Sequence, residues 1–172
     1  MTRALAVSET GRHADALADW DRALERDDGS NAALLRAGRA VSLARLGEHD
    51  KALADVAGVV EGQAAPAVAV YSAATVYAVV AAAVKGDADR AEKYAARAVA
   101  LLRRAHRAGY FKQAALVDGL KKHADFEPLR QRDDFRQLLK EIEGASTPPA
   151  ESGGPKEVGA ATVRERETLP AP

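Results

Sequence analysis

The stretches Gly11-Arg12-His13-Ala14-Asp15-Ala16-Leu17-Ala18-Asp19 and Gly47-Glu48-His49-Asp50-Lys51-Ala52-Leu53-Ala54-Asp55 carry Gly, His, Ala, Leu, Ala and Asp at matching places, 36 residues apart. Self-similarity at this period, in segments with helical apolar spacing, marks an array of helix pairs. One pair cannot bury its apolar face alone and must stack on its neighbours. The expected fold is therefore all-α: a right-handed array of helix-turn-helix units with a helical cap at its far end. Arrays of this kind usually bind other proteins.

Outward from the repeat, Ala16, Trp20, Ala23 and Leu24 share one helical face, and Asp27-Asp28-Gly29-Ser30-Asn31 ends that helix with turn formers. With Ser30 or Asn31 as N-cap, the next helix carries Leu34, Leu35, Ala37, Ala40, Val41, Ala44 and Leu46 to a stop at Gly47. A helix from Glu48 or His49 runs to Gly62, and Pro66 resets the chain. The third pair is expected over Ala67 to Lys85 and Ala88 to Ala108, with a turn at Gly86-Asp87 and a stop at Gly109. A short helix around Lys112 to Lys122, the junction Asp125-Phe126-Glu127-Pro128-Leu129, and a last helix over Asp133 to Glu143 read as the cap.

One domain is thus expected over residues 1–143, with units at about 1–29, 30–63 and 66–108 and a cap at 110–143. From Gly144 to Pro172 the composition turns to Ala, Ser, Thr, Pro, Gly and mixed charge. Too little apolar surface remains there to offset the entropy of ordering, so a disordered tail is expected. The helix before Gly11 has only about ten residues available, fewer than the later ones. The array is therefore expected to open on a half-unit, or the chain to be a fragment or mis-started version of something longer.

Composition narrows the function. Lys plus Arg and Asp plus Glu both number 25, so no net charge draws the chain onto nucleic acid or an anionic membrane. There is no cysteine, which excludes disulfides, thiolate metal sites and thiol nucleophiles and fits a reducing compartment, so the cytoplasm is the expected location. The most apolar stretch, Ala64 to Val84, has about the length of a membrane span. It is largely Ala and Val, with Ser72, Thr75 and two tyrosines, and reads better as a buried repeat helix.

The repeat positions resemble the tetratricopeptide pattern, a helix pair of about 34 residues. A turn Gly is followed by small, large and small residues at Gly11, Ala16, Trp20 and Ala23, then at Gly47, Ala52, Val56 and Val59, then at Gly86, Ala91, Ala95 and Ala98. Residues 71–143 contain Tyr71-Ser72-Ala73-Ala74-Thr75-Val76-Tyr77-Ala78, Ala108-Gly109-Tyr110-Phe111 and Asp125-Phe126-Glu127-Pro128-Leu129-Arg130. They resemble the tetratricopeptide tail that follows the catalytic domain in planctomycete-type bacterial serine/threonine protein kinases, with Ser72 where that family often has Asn. The resemblance implies a docking or regulatory module and transfers no catalytic residue.

No Gly-rich phosphate loop, His-Arg-Asp or Asp-Phe-Gly occurs, and Asp134-Phe135-Arg136 lacks the glycine, so the kinase reaction itself is excluded. His13 and His49 occupy equivalent repeat positions, which sit one repeat apart rather than on one ion, so packing or helix-end roles are expected and no metal or cofactor is assigned. Trp20 is expected in the core rather than at an interface. Arg36, Arg39, Ser42 and Arg45 follow i, i+3 spacing on a first helix, the kind that lines the concave groove of such arrays. Guanidinium groups there could fork onto the carboxylates of an acidic peptide, with Ser72 and Thr75 extending the groove. The expected function is a non-catalytic module binding a protein or peptide in that groove. The alternatives are a regulatory or dimerising segment of a kinase encoded without its catalytic domain, and self-association through the Ala-rich third pair.

Overall fold

The computed structural model describes residue 4, residues 10–62 and residues 64–146. It is an all-α array. Helices α1 (His13–Glu25), α2 (Ala32–Arg45), α3 (His49–Glu61), α4 (Ala67–Ala83) and α5 (Ala88–Arg107) lead to a 3-10 turn at Tyr110–Lys112. Helix α6 (Ala114–Lys122), a 3-10 segment at Ala124–Leu129 and α7 (Asp133–Ser146) complete it. The expected short helix from Lys112 is split at Gln113, whose extended backbone separates the 3-10 turn from α6. The last helix runs to Ser146, three residues beyond Glu143, so Gly144 and Ala145 are helical rather than the start of a tail. The rest of the expected tail lies outside the described residues, as does most of the stretch before Gly11. Ala4 is helical and buried.

The repeat is visible in the backbone. Arg12 and Glu48, which open α1 and α3, have φ/ψ of −84/61 and −82/58. Each follows a glycine of positive φ, Gly11 at 79° and Gly47 at 84°. At Gly47 the requirement is explicit: its N–H donates to the Ala44 carbonyl and the Glu48 N–H to the Leu43 carbonyl, a Schellman closure whose left-handed residue is cheapest as glycine. Neighbouring Leu46, expected to face inward, is 44% exposed because it follows the last helical residue and turns out with the loop.

Helix α4 is apolar on all sides because it is surrounded: α2 and α3 pack on one side, α5 and the cap on the other. Ala69, Ala73, Ala74, Ala78 and Ala81 are buried along it, small enough for its neighbours to approach closely. No helix among the described residues is long and apolar enough to cross a membrane. The main core runs from Ala37 to Ile142, and a smaller cluster of Ala4, Ala16, Trp20 and Leu35 sits at the first end. Arg104 of α5 donates to the Val59 and Val60 carbonyls at 3.0 and 3.1 Å and to Gly62, capping the C-terminus of α3 across the array.

Candidate functional site

The i, i+3 row on α2 does not form a stripe. Each step of three residues falls about 60° short of a full helical turn, so Arg45 lies about 180° round from Arg36. Arg36 is solvent-exposed. Arg39 turns toward α1 and α3, where its guanidinium donates to both Asp55 oxygens at 2.6 and 2.7 Å and to Asp21 at 2.9 Å. Those bonds hold the guanidinium strongly in its charged form. Ser42 is completely buried and its hydroxyl has no partner among the described residues. Arg45 points the other way, into the cap, and donates to Asp125 at 2.6 Å.

Arg45, Ser72 and Thr75 do meet. They line a cleft of about 230 Å³ between α2, α4 and the cap. Thr75 is itself buried and its hydroxyl donates to the Tyr71 carbonyl one helical turn back, so it contributes shape rather than a free polar group. Ser72 is half-buried. Val68, 40% exposed, and Val41 supply the apolar wall. Tyr71 stacks on Tyr110 with centroids 4.6 Å apart and meets Phe126 edge-on at 5.7 Å, which anchors α4 to the cap. Burial pushes the Tyr71 phenol well above its ordinary value and raises Tyr110 in the same direction.

Trp20 is 2% exposed and core, as its spacing predicts, yet one side of its ring reaches the cleft past Gly38. Its indole N–H is buried without a hydrogen-bond partner among the described residues. His123 forms the far wall, where its ring accepts from the Asp125 N–H. The Arg45–Asp125 pair holds the cap against α2. Val68, Tyr110, His123 and Trp20 were not expected in a groove. A glycine at position 38, in mid-helix near a lone tryptophan, was the one sequence signal of a close approach there.

Two other hollows are less suited to a ligand. One, of about 410 Å³, lies over Arg39, whose donors are already committed to Asp21 and Asp55. The other, of about 380 Å³, lies between the turns after α2 and α4, bordered by His49, Asp50, Lys85 and Asp87. No group of three or more metal-ligating side chains occurs among the described residues, and His13 and His49 border different parts of the array. Burial, and next the Arg45 guanidinium, lower the His13 imidazole. Comparisons with protein-family models, curated proteins and solved structures return no match.

Proposed function

We propose that this chain is a non-catalytic binding module of the tetratricopeptide kind that takes an extended peptide in the cleft between α2, α4 and the cap. One observation carries the reading: an exposed apolar residue, two stacked tyrosines and the Trp20 ring converge on one concavity. A peptide laid there would cover Val68 and pack against the aromatic rings that line the cleft. The recognition differs from a row of arginines gripping an acidic ligand. Arg39 is committed within the fold and Arg45 is already neutralised by Asp125.

Selection from a displayed random-peptide library tests the proposal, with the purified chain compared against Val68→Glu and against Leu46→Glu. Both positions are exposed, so neither change threatens the core. Convergent peptides bound by wild type and Leu46→Glu but lost on Val68→Glu support the cleft. Peptides that never converge, or that bind Val68→Glu equally, overturn it.

A further inference from the structure

Over residues 93–117 the chain carries six Lys and Arg residues, one His and no Asp or Glu, although its full-length charges balance at 25 of each sign. Most of this run is α5. Lys93, Arg97, Ala100, Arg104 and Arg107 follow i, i+4, i+7, i+11 and i+14 spacing, which places them in one stripe along the helix. The opposite side of α5, with Ala98, Val99 and Leu102 among its residues, is buried, and α4 is its main packing partner. The stripe therefore faces away from α4 and from the cleft.

Two arginines of the run are already used. Arg104 caps the carbonyls that end α3, and Arg103 pairs with Glu141 of α7 at 3.3 Å. Lys93, Arg97 and Arg107 are exposed, and their side chains make no ion pair or hydrogen bond among the described residues. From Lys93 to Arg107 the helix rises about 21 Å, with Ala96 and Ala100 exposed between these cations.

Cations without partners on a rigid helix attract anions, and their layout selects the shape of what carries the charge. A nucleic-acid duplex presents a charge every 1.7 Å or so, far denser than three cations over about 21 Å. No aromatic ring stands in the stripe to stack on a base, and carboxylates border it. Asp89 lies in the first turn of α5, Glu92 pairs with Arg132 at the start of α7, and Glu61 adjoins the Gly62 carbonyl that Arg104 reaches. These would repel any wide polyanionic surface, a membrane included. A second α-helix fits instead: the exposed alanines let it approach closely, and carboxylates on its facing side recur at the same three- and four-residue intervals.

We propose that this stripe of α5 docks an acidic α-helical segment of another protein, with Lys93, Arg97 and Arg107 taking its carboxylates. The surface is separate from the cleft and does not depend on it.

The test titrates the full chain with a labelled alanine-based helical peptide that carries glutamates in one stripe, at i, i+4, i+7, i+11 and i+14, and reads anisotropy at low salt. Wild type is compared with a variant carrying Lys93→Glu, Arg97→Glu and Arg107→Glu. A control carrying Arg26→Glu, Arg36→Glu and Lys140→Glu changes net charge equally. All six positions are exposed, so circular dichroism should show both variants folded; glutamine replaces glutamate at the three α5 positions if it does not. The expected result is binding by wild type and by the control, weakened at least about tenfold on the α5 variant. Val68→Glu should leave this binding unchanged, which separates the stripe from the cleft. The same glutamates spread round the peptide helix should bind several-fold more weakly than the stripe. No binding at low salt, equal weakening in the control, equal binding of the spread peptide, or loss on Val68→Glu each overturns the proposal. Displacement of the peptide by duplex DNA or phosphatidylserine vesicles at equal charge concentration also overturns it, in favour of a polyanion surface.

Discussion

The indole of Trp20 fills the space that a side chain on Gly38 would need: a β-carbon there would lie 2.6 Å from both Cζ2 and Cη2. A glycine in the middle of α2 costs helix stability, and at this position the cost is offset by letting the largest side chain of the first unit seat against the second. The contact joins the small cluster around Trp20 to the rest of the array and forms one wall of the cleft.

Gly38→Ala is therefore expected to destabilise by about 1–3 kcal/mol, because the methyl group meets a rigid ring rather than the end of a flexible chain. Gly58 is the contrast, a helical glycine whose β-carbon would meet nothing within 4 Å. Gly58→Ala should stabilise by about 0.5–1 kcal/mol through helix propensity. Urea denaturation followed by Trp20 fluorescence compares them; equal effects of the same sign would refute the packing account.

Arg39 ties three helices together, with Asp55 only 11% exposed and Asp21 48% exposed. Arg39→Ala strands the Asp55 carboxylate and should cost about 1–3 kcal/mol, whereas Asp21→Ala should cost less than about 1 kcal/mol. A double-mutant cycle on Arg39 and Asp55 is expected to show coupling of about 1 kcal/mol or more. Strict additivity would show that the bidentate pair contributes no interaction of its own.

Loss of the Arg45–Asp125 pair should loosen the cap rather than unfold the array. Arg45→Met leaves Asp125, 17% exposed, without its cation while α2 keeps its apolar face. Hydrogen exchange should then quicken at the Ala124–Leu129 amides and in the first turn of α4, with α3 unchanged. Faster exchange spread evenly over every helix would contradict a local clamp.

Tyr71 predicts an alkaline limit. Burial first, and then the neighbouring Tyr110 and Asp125, hold its folded-state pKa above the ordinary 10.0. The stability tied to the neutral phenol is thus fully present below pH 10 and is lost as pH rises from there toward the folded-state value. Thermal unfolding from pH 9 to 12 should show a steeper fall for wild type than for Tyr71→Phe, with the two curves parallel below pH 10. Parallel curves throughout would mean that this phenol does not limit the fold.

Helix spans, turn glycines and the all-α array were legible in the chain alone, because periodicity and turn chemistry act over a few residues and the Gly11 and Gly47 repeats encode the same local backbone twice. The burial of Trp20 followed from the same spacing. What the linear pattern could not carry is which way a polar side chain is used. Arg36, Arg39, Ser42 and Arg45 look equivalent at i, i+3 spacing, yet helical rotation sends them to solvent, to Asp55, into the core and to Asp125. The partners that decide among these fates are Asp125, 80 residues from Arg45, and Asp55, 16 residues from Arg39. Only the stacking of units and the folding of the cap onto α4 bring those groups together. The cleft exists for the same reason: no single helix contains it, and its walls come from five separate places in the chain.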